Sequence, residues 1–389
     1  MNAADFKSRL STSDSLQKLG SQAYDHYLEW SGYSELRHDD VLRQQGRGIT
    51  NHRLGETEEL AFDTTDRASL PVYHRQAPER VSIKPPSVTE VRDGRLVGRD
   101  GVVLTQQDQL VVESLYNSDQ TLRNSGGKVK ILKNLIYDSV SNDPEHVEGR
   151  YCPLVNGWSD GYFHWVADCL TKVQHLVRHS DETSRTPTLL VEPDPPQWKV
   201  DSLEVVLDGE FAWGEWGGGV MSFDELVVPS LPRTGDYVST ESLQWLRRRV
   251  RNGVDGGSGH PERIYISRRD ADSRYIVNEE EVLERLGEFG FSDYCLETLS
   301  FEEQVRLFEN AEIVVGPHGA GFSNTIFAEN ADVLEVFGPR SLSHSLCYYS
   351  IANSLNLEYQ AVLGERVDDG LHVDPDVVAE LVSTEFVEQ

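Results

Sequence analysis

The stretch IVVGPHGAGFSN, Ile313 to Asn324, decides how the second half of this chain is read. It opens on an unbroken apolar run, the pattern of a strand covered on both faces. Three glycines follow, Gly316, Gly319 and Gly321, with His318 and Ala320 set between them. Glycine lets a backbone turn sharply and come close to a ligand. FSNTIFAEN then reads as the start of a helix, whose first N–H groups and positive dipole end suit a phosphate. His318 in such a turn donates a hydrogen bond or, when protonated, neutralises part of a diphosphate. A packing turn with a satisfied histidine is the competing reading, and the stretch alone leaves both open.

Its neighbours supply the context. RIYISR, SDYCLET, DVLEVFG and EYQAVL are strand patterns, and helical patterns lie between them. NEEEVLERLGEFG starts with Asn278 as N-cap and Glu281 three residues on, and Gly290 stops it. SFEEQVRLFENA repeats the device with Ser300 and Glu303. SHSLCYYSIANSLN is a further helix. Strands alternating with helices mean a parallel α/β unit, which binds ligands at the C-terminal ends of its strands.

The chain has 389 residues, more than one ordinary domain needs. Residues 86–240 read as a second α/β unit and 241–389 as the unit just described, with 1–85 an extension of unknown role. SVTEVRDGRLVGRDGVVLTQQDQLVVESL gives short strands with turns at its Asp-Gly steps, and GYFHWVADCLTKVQHLVRH gives a helix. PTLLVE, SLEVVLDG and FDELVVPS read as strands, and FAWGEWGGGV as a loop on the interdomain cleft or the surface.

Charge narrows the partners. There are 65 acidic residues against 36 basic, a net charge of −29. Only 8 residues are lysine, none beyond Lys199, so 36 − 8 = 28 are arginine. An acidic surface nearly cleared of lysine is the expectation for a protein soluble in concentrated salt, hence a halophile. Nucleic acid is excluded as a partner, since RRRVR (247–251) is the one basic tract and reads as a solvated helix face. The four cysteines, Cys152, Cys169, Cys295 and Cys347, are scattered and read as buried thiols rather than a disulfide framework or zinc site. No apolar run reaches the roughly 18 residues of a membrane span, and the first residues lack a signal-peptide core. The expectation is a soluble, cytoplasmic protein.

Arg268, Arg269 and Arg274, in ISRRDADSR, offer fork-shaped donors for phosphate oxygens, against a rival reading as surface ion pairs. Asp270 and Asp272 form a weaker DxD-like candidate for a metal. His164 and Asp168, four apart on a helix, share a face and together suit proton removal from a hydroxyl, or else a structural hydrogen bond. Glu335 near a strand end suits a ribose, or is an ordinary capped carboxylate.

Taken together, GYFHWVADCL, FDELVVPS, RIYISRRDADSRYIVNEEEV, LSFEEQVRLFENAEIVVGPHGAGFSNTIF and VLEVF resemble the family 61 glycosyltransferases, from about Val88 to about Val362. That group holds plant xylosyltransferases and O-linked N-acetylglucosaminyltransferases. The resemblance implies a GT-B-like α/β architecture, two Rossmann-like domains facing each other across a cleft. It implies inverting transfer of a sugar from a nucleotide-diphosphate donor, expected to be a UDP-sugar, to a hydroxyl. Arg268 and His318, with the backbone of Gly319 to Gly321, would meet the diphosphate. Asn324 and Glu335 would lie near sugar or ribose, and His164 and Asp168 would face the acceptor, either one as base. No metal cofactor is required on this reading. The context suggests a glycan or lipid-linked glycan acceptor in surface-glycan or protein glycosylation, with peripheral contact at the inner membrane face. The family often has Pro-Gly after the motif where this chain has AENAD, and residues 1–85 match nothing in it. A metal-dependent phosphoesterase built on His164, Asp168, Asp270, Asp272 and His318, and an inactive sugar-nucleotide-binding scaffold, are the alternatives.

Overall fold

Two sheets organise the chain. The computed structural model describes residues 21–387 apart from 38–39, 42–45, 63–69, 72–73, 116–121, 123–124, 142, 255–258 and 340–344. The segment read for a signal peptide therefore lies outside the described residues. The fold is mixed α/β with parallel strands and covering helices.

The first sheet has nine strands. Its middle runs Val102–Leu104, Ser87–Val97, Val220–Pro229, Glu145–Pro153 and Thr188–Val191. Ser87–Val97 is antiparallel to Val220–Pro229, whereas Val220–Pro229, Glu145–Pro153 and Thr188–Val191 are mutually parallel. Two strands come from before residue 86: Ser34–Leu36 pairs with Gln109–Val111, and Ile49–Arg53 with Ser87–Val97. Part of the segment read as an extension is thus woven into this sheet.

Tertiary pairing overrides three local signals here. No turn forms at Asp93-Gly94, because Ser87–Val97 pairs along its length and Asp93 takes φ 50° inside the strand. SLEVVL is not a strand but part of the helix Gln197–Leu207, which buries Ser202, Leu203, Val206 and Leu207 on one face. FAWGEWGGGV is no cleft loop. Trp213–Glu215 is the edge strand beside Thr188–Val191, and buried Trp216 donates its indole N–H to the Gly98 carbonyl at 2.8 Å.

The second sheet is fully parallel, in the order Ser292–Tyr294, Arg263–Ile266, Ile313–Pro317, Asp332–Phe337, Tyr359–Leu363. Its helices Glu279–Gly287, Phe301–Asn310 and Cys347–Ser354 match the sequence reading. Ser300 and Glu303 form the expected capping box, worth about 1 kcal/mol for the side-chain cap. Asn278 makes no such cap, because its amide donates to Glu281 and to the Val373 carbonyl instead.

The two sheets share one buried core. Val88, Cys152, Leu189 and Val227 of the first join Ile264, Val314 and Val333 of the second through Leu243 and Leu246 of the helix Thr240–Gly253. RRRVR lies on that helix and is not a solvated face: Arg247 and Arg249 donate to the Ile326 and Val206 carbonyls, and Arg251 pairs with Glu309. The cysteines are free thiols, and all but Cys295 are buried. Among the described residues no helix is long and apolar enough to cross a membrane.

Candidate active site

His164 ends a short helical turn, Tyr162–His164, and Asp168 lies in the wider π-helical turn Trp165–Leu170 that follows. Such turns are rare and gather at functional sites. Asp168 is 0% exposed, and its Oδ2 accepts from His164 Nδ1 at 2.8 Å. Arg233, also buried, donates to both oxygens of the same carboxylate, at 2.9 and 3.2 Å. Burial works against the charge on Asp168. Arg233 and then His164 outweigh it and hold the carboxyl below its usual range. A sealed carboxylate bound to an arginine is a poor proton acceptor, whereas the His164 side chain keeps 25% exposure. With Nδ1–H donating to Asp168, the His164 lone pair sits on Nε2, so the pair works as an oriented histidine. Arg233 lies 65 residues from Asp168, and no local pattern in LPRTGDY announces it.

On the second sheet, Ile313–Pro317 ends in the His318 turn as its sequence implies. His318 is buried, its backbone N–H donates to the Val336 carbonyl at 3.0 Å, and its Nδ1 pairs with Glu335 Oε1. The other Glu335 oxygen accepts from the Tyr359 hydroxyl at 2.5 Å. Both oxygens of this buried carboxylate are spent, so Glu335 orients His318 rather than reaching toward a ribose. The glycines are explained by close approach, since Gly316, Gly319 and Gly321 all lack a left-handed φ. A Cβ on Gly316 would stand 2.8 Å from the Ile266 carbonyl oxygen, and one on Gly319 would strike the Arg268 guanidinium. The run after them departs from expectation: Ala320–Phe327 is a 3₁₀ stretch. A 3₁₀ run has poorer hydrogen-bond geometry than an α-helix, so the α-helical N-terminus expected to suit a phosphate is not formed here. Asn324 is fully buried and committed, accepting from the Tyr162 hydroxyl at 2.5 Å and donating to Gln304 at 2.8 Å.

The three arginines separate. Arg269 pairs with Asp293 and Glu279, so the surface ion-pair reading holds for it. Arg268 lies against Gly319, donates to the Ser273 carbonyl at 3.2 and 3.4 Å, and has no ion pair among the described residues. Burial first, then the positive charge of Arg274, hold its guanidinium below the ordinary arginine range. Arg274 takes φ 60° and has no ion pair among the described residues either. In a chain of net charge −29, two neighbouring arginines with no ion pair among the described residues, Asp270 and Glu297 acting on Arg268 only at a distance, form a local positive site.

Tyr348 joins the two halves. Its ring centroid lies 5.1 Å from that of His318 and 5.7 Å from that of Phe163, the residue before His164. The Tyr162–Asn324 hydrogen bond fixes the same junction. The residues supposed to build a phosphoesterase do not assemble. Among the described residues no three of His164, Asp168, Asp270, Asp272 and His318 come within metal-sharing reach. The trio that does, His52, Glu90 and His179, sits elsewhere, and Arg150 already occupies Glu90 and contacts His179 Nδ1.

Residues 162–334 match the family profile of Glycosyltransferase 61. Over that stretch, a little under half of its length, the chain is similar to glycosyltransferase family 61. The matched residues run from Tyr162 through His164, Asp168, Arg233, Arg268 and His318 to Leu334, so the profile covers nearly all of the site. Among curated proteins, the chain is similar to EGF domain-specific O-linked N-acetylglucosamine transferases. The Gallus gallus protein is 31% identical over 102 residues, 25% of this chain and 19% of that one. The Bos taurus protein is 28% identical over 121 residues, 30% of this chain and 23% of that one. The Drosophila melanogaster protein is 28% identical over 130 residues, 31% and 24% respectively. The alignments thus span about a fifth to a quarter of these relatives' length.

Proposed function

We propose that this chain is an inverting glycosyltransferase of family 61. It moves a sugar from a nucleoside-diphosphate donor, with a UDP-sugar the leading candidate, to a hydroxyl of a glycan or lipid-linked glycan. The reading uses a GT-B-like division of labour, with 86–240 presenting the acceptor and 241–389 holding the donor. The relatives' name, O-linked N-acetylglucosamine transferase, supports an amino-sugar donor and a hydroxyl acceptor. The observation that carries the proposal is the pair Arg268 and Arg274, without ion-pair partners among the described residues, beside the buried His318 turn at the C-terminal ends of parallel strands.

In the proposed reaction His164 Nε2 takes the acceptor hydroxyl proton. The oxygen attacks the anomeric carbon from the face opposite the diphosphate, and the bond from that carbon to the diphosphate oxygen breaks. Asp168 orients His164 and stabilises the imidazolium that forms, and Arg233 keeps Asp168 ionised. The charge growing on the diphosphate falls to Arg268, Arg274 and His318, a preorganised set of donors. These donors perform leaving-group stabilisation that needs no bound metal.

The test is a thermal-shift screen of nucleoside diphosphates and their sugars at molar KCl, with EDTA and with added manganese. The salt answers the acid excess of 65 to 36, which we read as adaptation to a saline interior. Stabilisation by one nucleoside diphosphate that survives EDTA supports the proposal. Stabilisation that needs manganese overturns its metal-free form, and none from any nucleotide overturns the donor site.

A further inference from the structure

The hydrogen bonds behind His318 continue past Glu335. Tyr359 Oη, which donates to Glu335, lies 3.0 Å from Nε2 of His74. His74 belongs to the segment before residue 86, outside the 162–334 match, and its side chain is 0% exposed. It sits in an apolar pocket, with ring centroids 4.6 Å from Phe337, 5.8 Å from Tyr349 and 5.6 Å from Tyr359. Leu60, Phe62, Leu70, Ala77 and Ile83 of the same segment pack there against Phe337, Leu346, Tyr349 and Ala361.

Resting on the donor-site reading above, we propose that His74 is a positioning residue for His318. It acts through Tyr359 and Glu335, so the segment before residue 86 completes the donor side of the site. The polarity of the chain follows from its members. Tyr359 has one proton and gives it to Glu335, so its oxygen accepts from His74 Nε2–H. Glu335 accepts at both oxygens, from Tyr359 and from His318 Nδ1–H. Burial lowers the His74 pKa to about 4 and, followed by the charge of Glu335, holds the Tyr359 hydroxyl well above its ordinary range. Both therefore keep one protonation state at working pH, and the polarity cannot reverse. Among the described residues His74 Nδ1 is buried without a partner, a cost that phenylalanine at this place in the apolar pocket would avoid. The Nε2–H donated to Tyr359 is what the histidine supplies in return.

Among the described residues the groups around His318 are Glu335 on the next strand, Tyr348 on the helix above, Arg268 beyond Gly319, and Tyr359 and His74 behind. Removing the Tyr359 hydroxyl leaves Glu335 a stronger acceptor, which favours the protonated form of His318. Tyr359→Phe should move the His318 titration up by about half a pH unit. His74→Phe, which keeps the ring packing, should move it the same way by less, and His74→Gln, which restores an N–H donor, should return it toward wild type.

The test follows the His318 Cε1–H resonance of 13C-histidine-labelled protein from pH 5 to 9 without nucleotide, assigned with His318→Ala. Affinity for the stabilising nucleoside diphosphate is measured over the same range. Ordered upward shifts in Tyr359→Phe and His74→Phe, with recovery in His74→Gln, support the relay. Superimposed titrations in folded variants overturn it. Absence of nucleotide binding by wild type would sink the donor-site reading instead, and the NMR titration still decides whether the chain acts on His318.

Discussion

Arg268→Met separates binding from folding more cleanly than any other change in this site. The methionine keeps an unbranched apolar stem against Gly319 and removes the charge. In the unliganded protein that charge has no ion pair among the described residues and two long hydrogen bonds to one carbonyl, at 3.2 and 3.4 Å. Its loss should leave unfolding free energy within about 0.5 kcal/mol of wild type or raise it, since a desolvated unpaired cation stabilises nothing. The liganded state differs. A guanidinium fork meeting a diphosphate makes two charge-assisted bonds of about 1.5–3 kcal/mol each, of which about 3–4 kcal/mol survives as net affinity. At about 1.4 kcal/mol per tenfold, binding should weaken by roughly 100- to 1,000-fold. Urea denaturation and titration calorimetry on one preparation read both quantities. A variant that loses several kcal/mol of stability yet binds nucleotide like wild type would refute the assignment, and Arg268 would be structural.

Other changes divide in the same way. Gly316→Ala should destabilise strongly, because the new Cβ meets the backbone oxygen of Ile266, which cannot move aside; Gly319→Ala meets the movable end of Arg268, so thermal melts should stay close to wild type while nucleotide affinity falls. Arg233→Met strands the Asp168 carboxylate at 0% exposure and should cost about 3–5 kcal/mol, much of it recovered in the Arg233→Met, Asp168→Asn double variant. Urea midpoints of the full double-mutant cycle check this, and additive losses would deny the coupling. Asp332 has its pKa raised to about 6, by burial first and then by the charges of Glu358 and Glu312. A folded pKa above the unfolded one means stability is fully present below about pH 4 and is lost as pH rises through about 6. Asp332→Asn should therefore stabilise at pH 8 and not at pH 4, by about 1 kcal/mol once solvent screening is allowed for. Equal melting shifts at both pH values would contradict it.

The second sheet was largely legible in the sequence because its strands and helices carry their own signals. The capping box at Ser300–Glu303 and the apolar runs at Ile313–Pro317 and Asp332–Phe337 need no distant partner to be recognised. The first sheet was harder. Ser87–Val97 hides a left-handed Asp93 that only its pairing tolerates, and Gln197–Leu207 carries β-branched residues whose helical spacing spans one short segment. The site divides along the same line. His318 lies in a glycine-marked turn after an apolar strand and Arg268 in the run ISRRDADSR, both visible locally, whereas Arg233, Tyr348, Tyr359 and His74 come into the site by long-range contact and sit in stretches without a motif. Glu335 and Asn324 read from the sequence as sugar- or ribose-side residues, but the structure assigns their polar atoms to His318, Tyr359, Tyr162 and Gln304 rather than to an open cleft. Sequence gives the type of a residue, and its partners decide which of its atoms remain for a ligand.

The central claim is that a donor diphosphate lies between Arg268 and His318. A crystal structure of the wild-type protein with the nucleoside diphosphate that stabilises it most, grown in EDTA, tests this directly. The account predicts phosphate oxygens within hydrogen-bond distance of the Arg268 guanidinium and the His318 ring, with the nucleoside on the second sheet and His164 facing the β-phosphate across Tyr348. A diphosphate bound elsewhere, with Arg268 still on the Ser273 carbonyl, would contradict it.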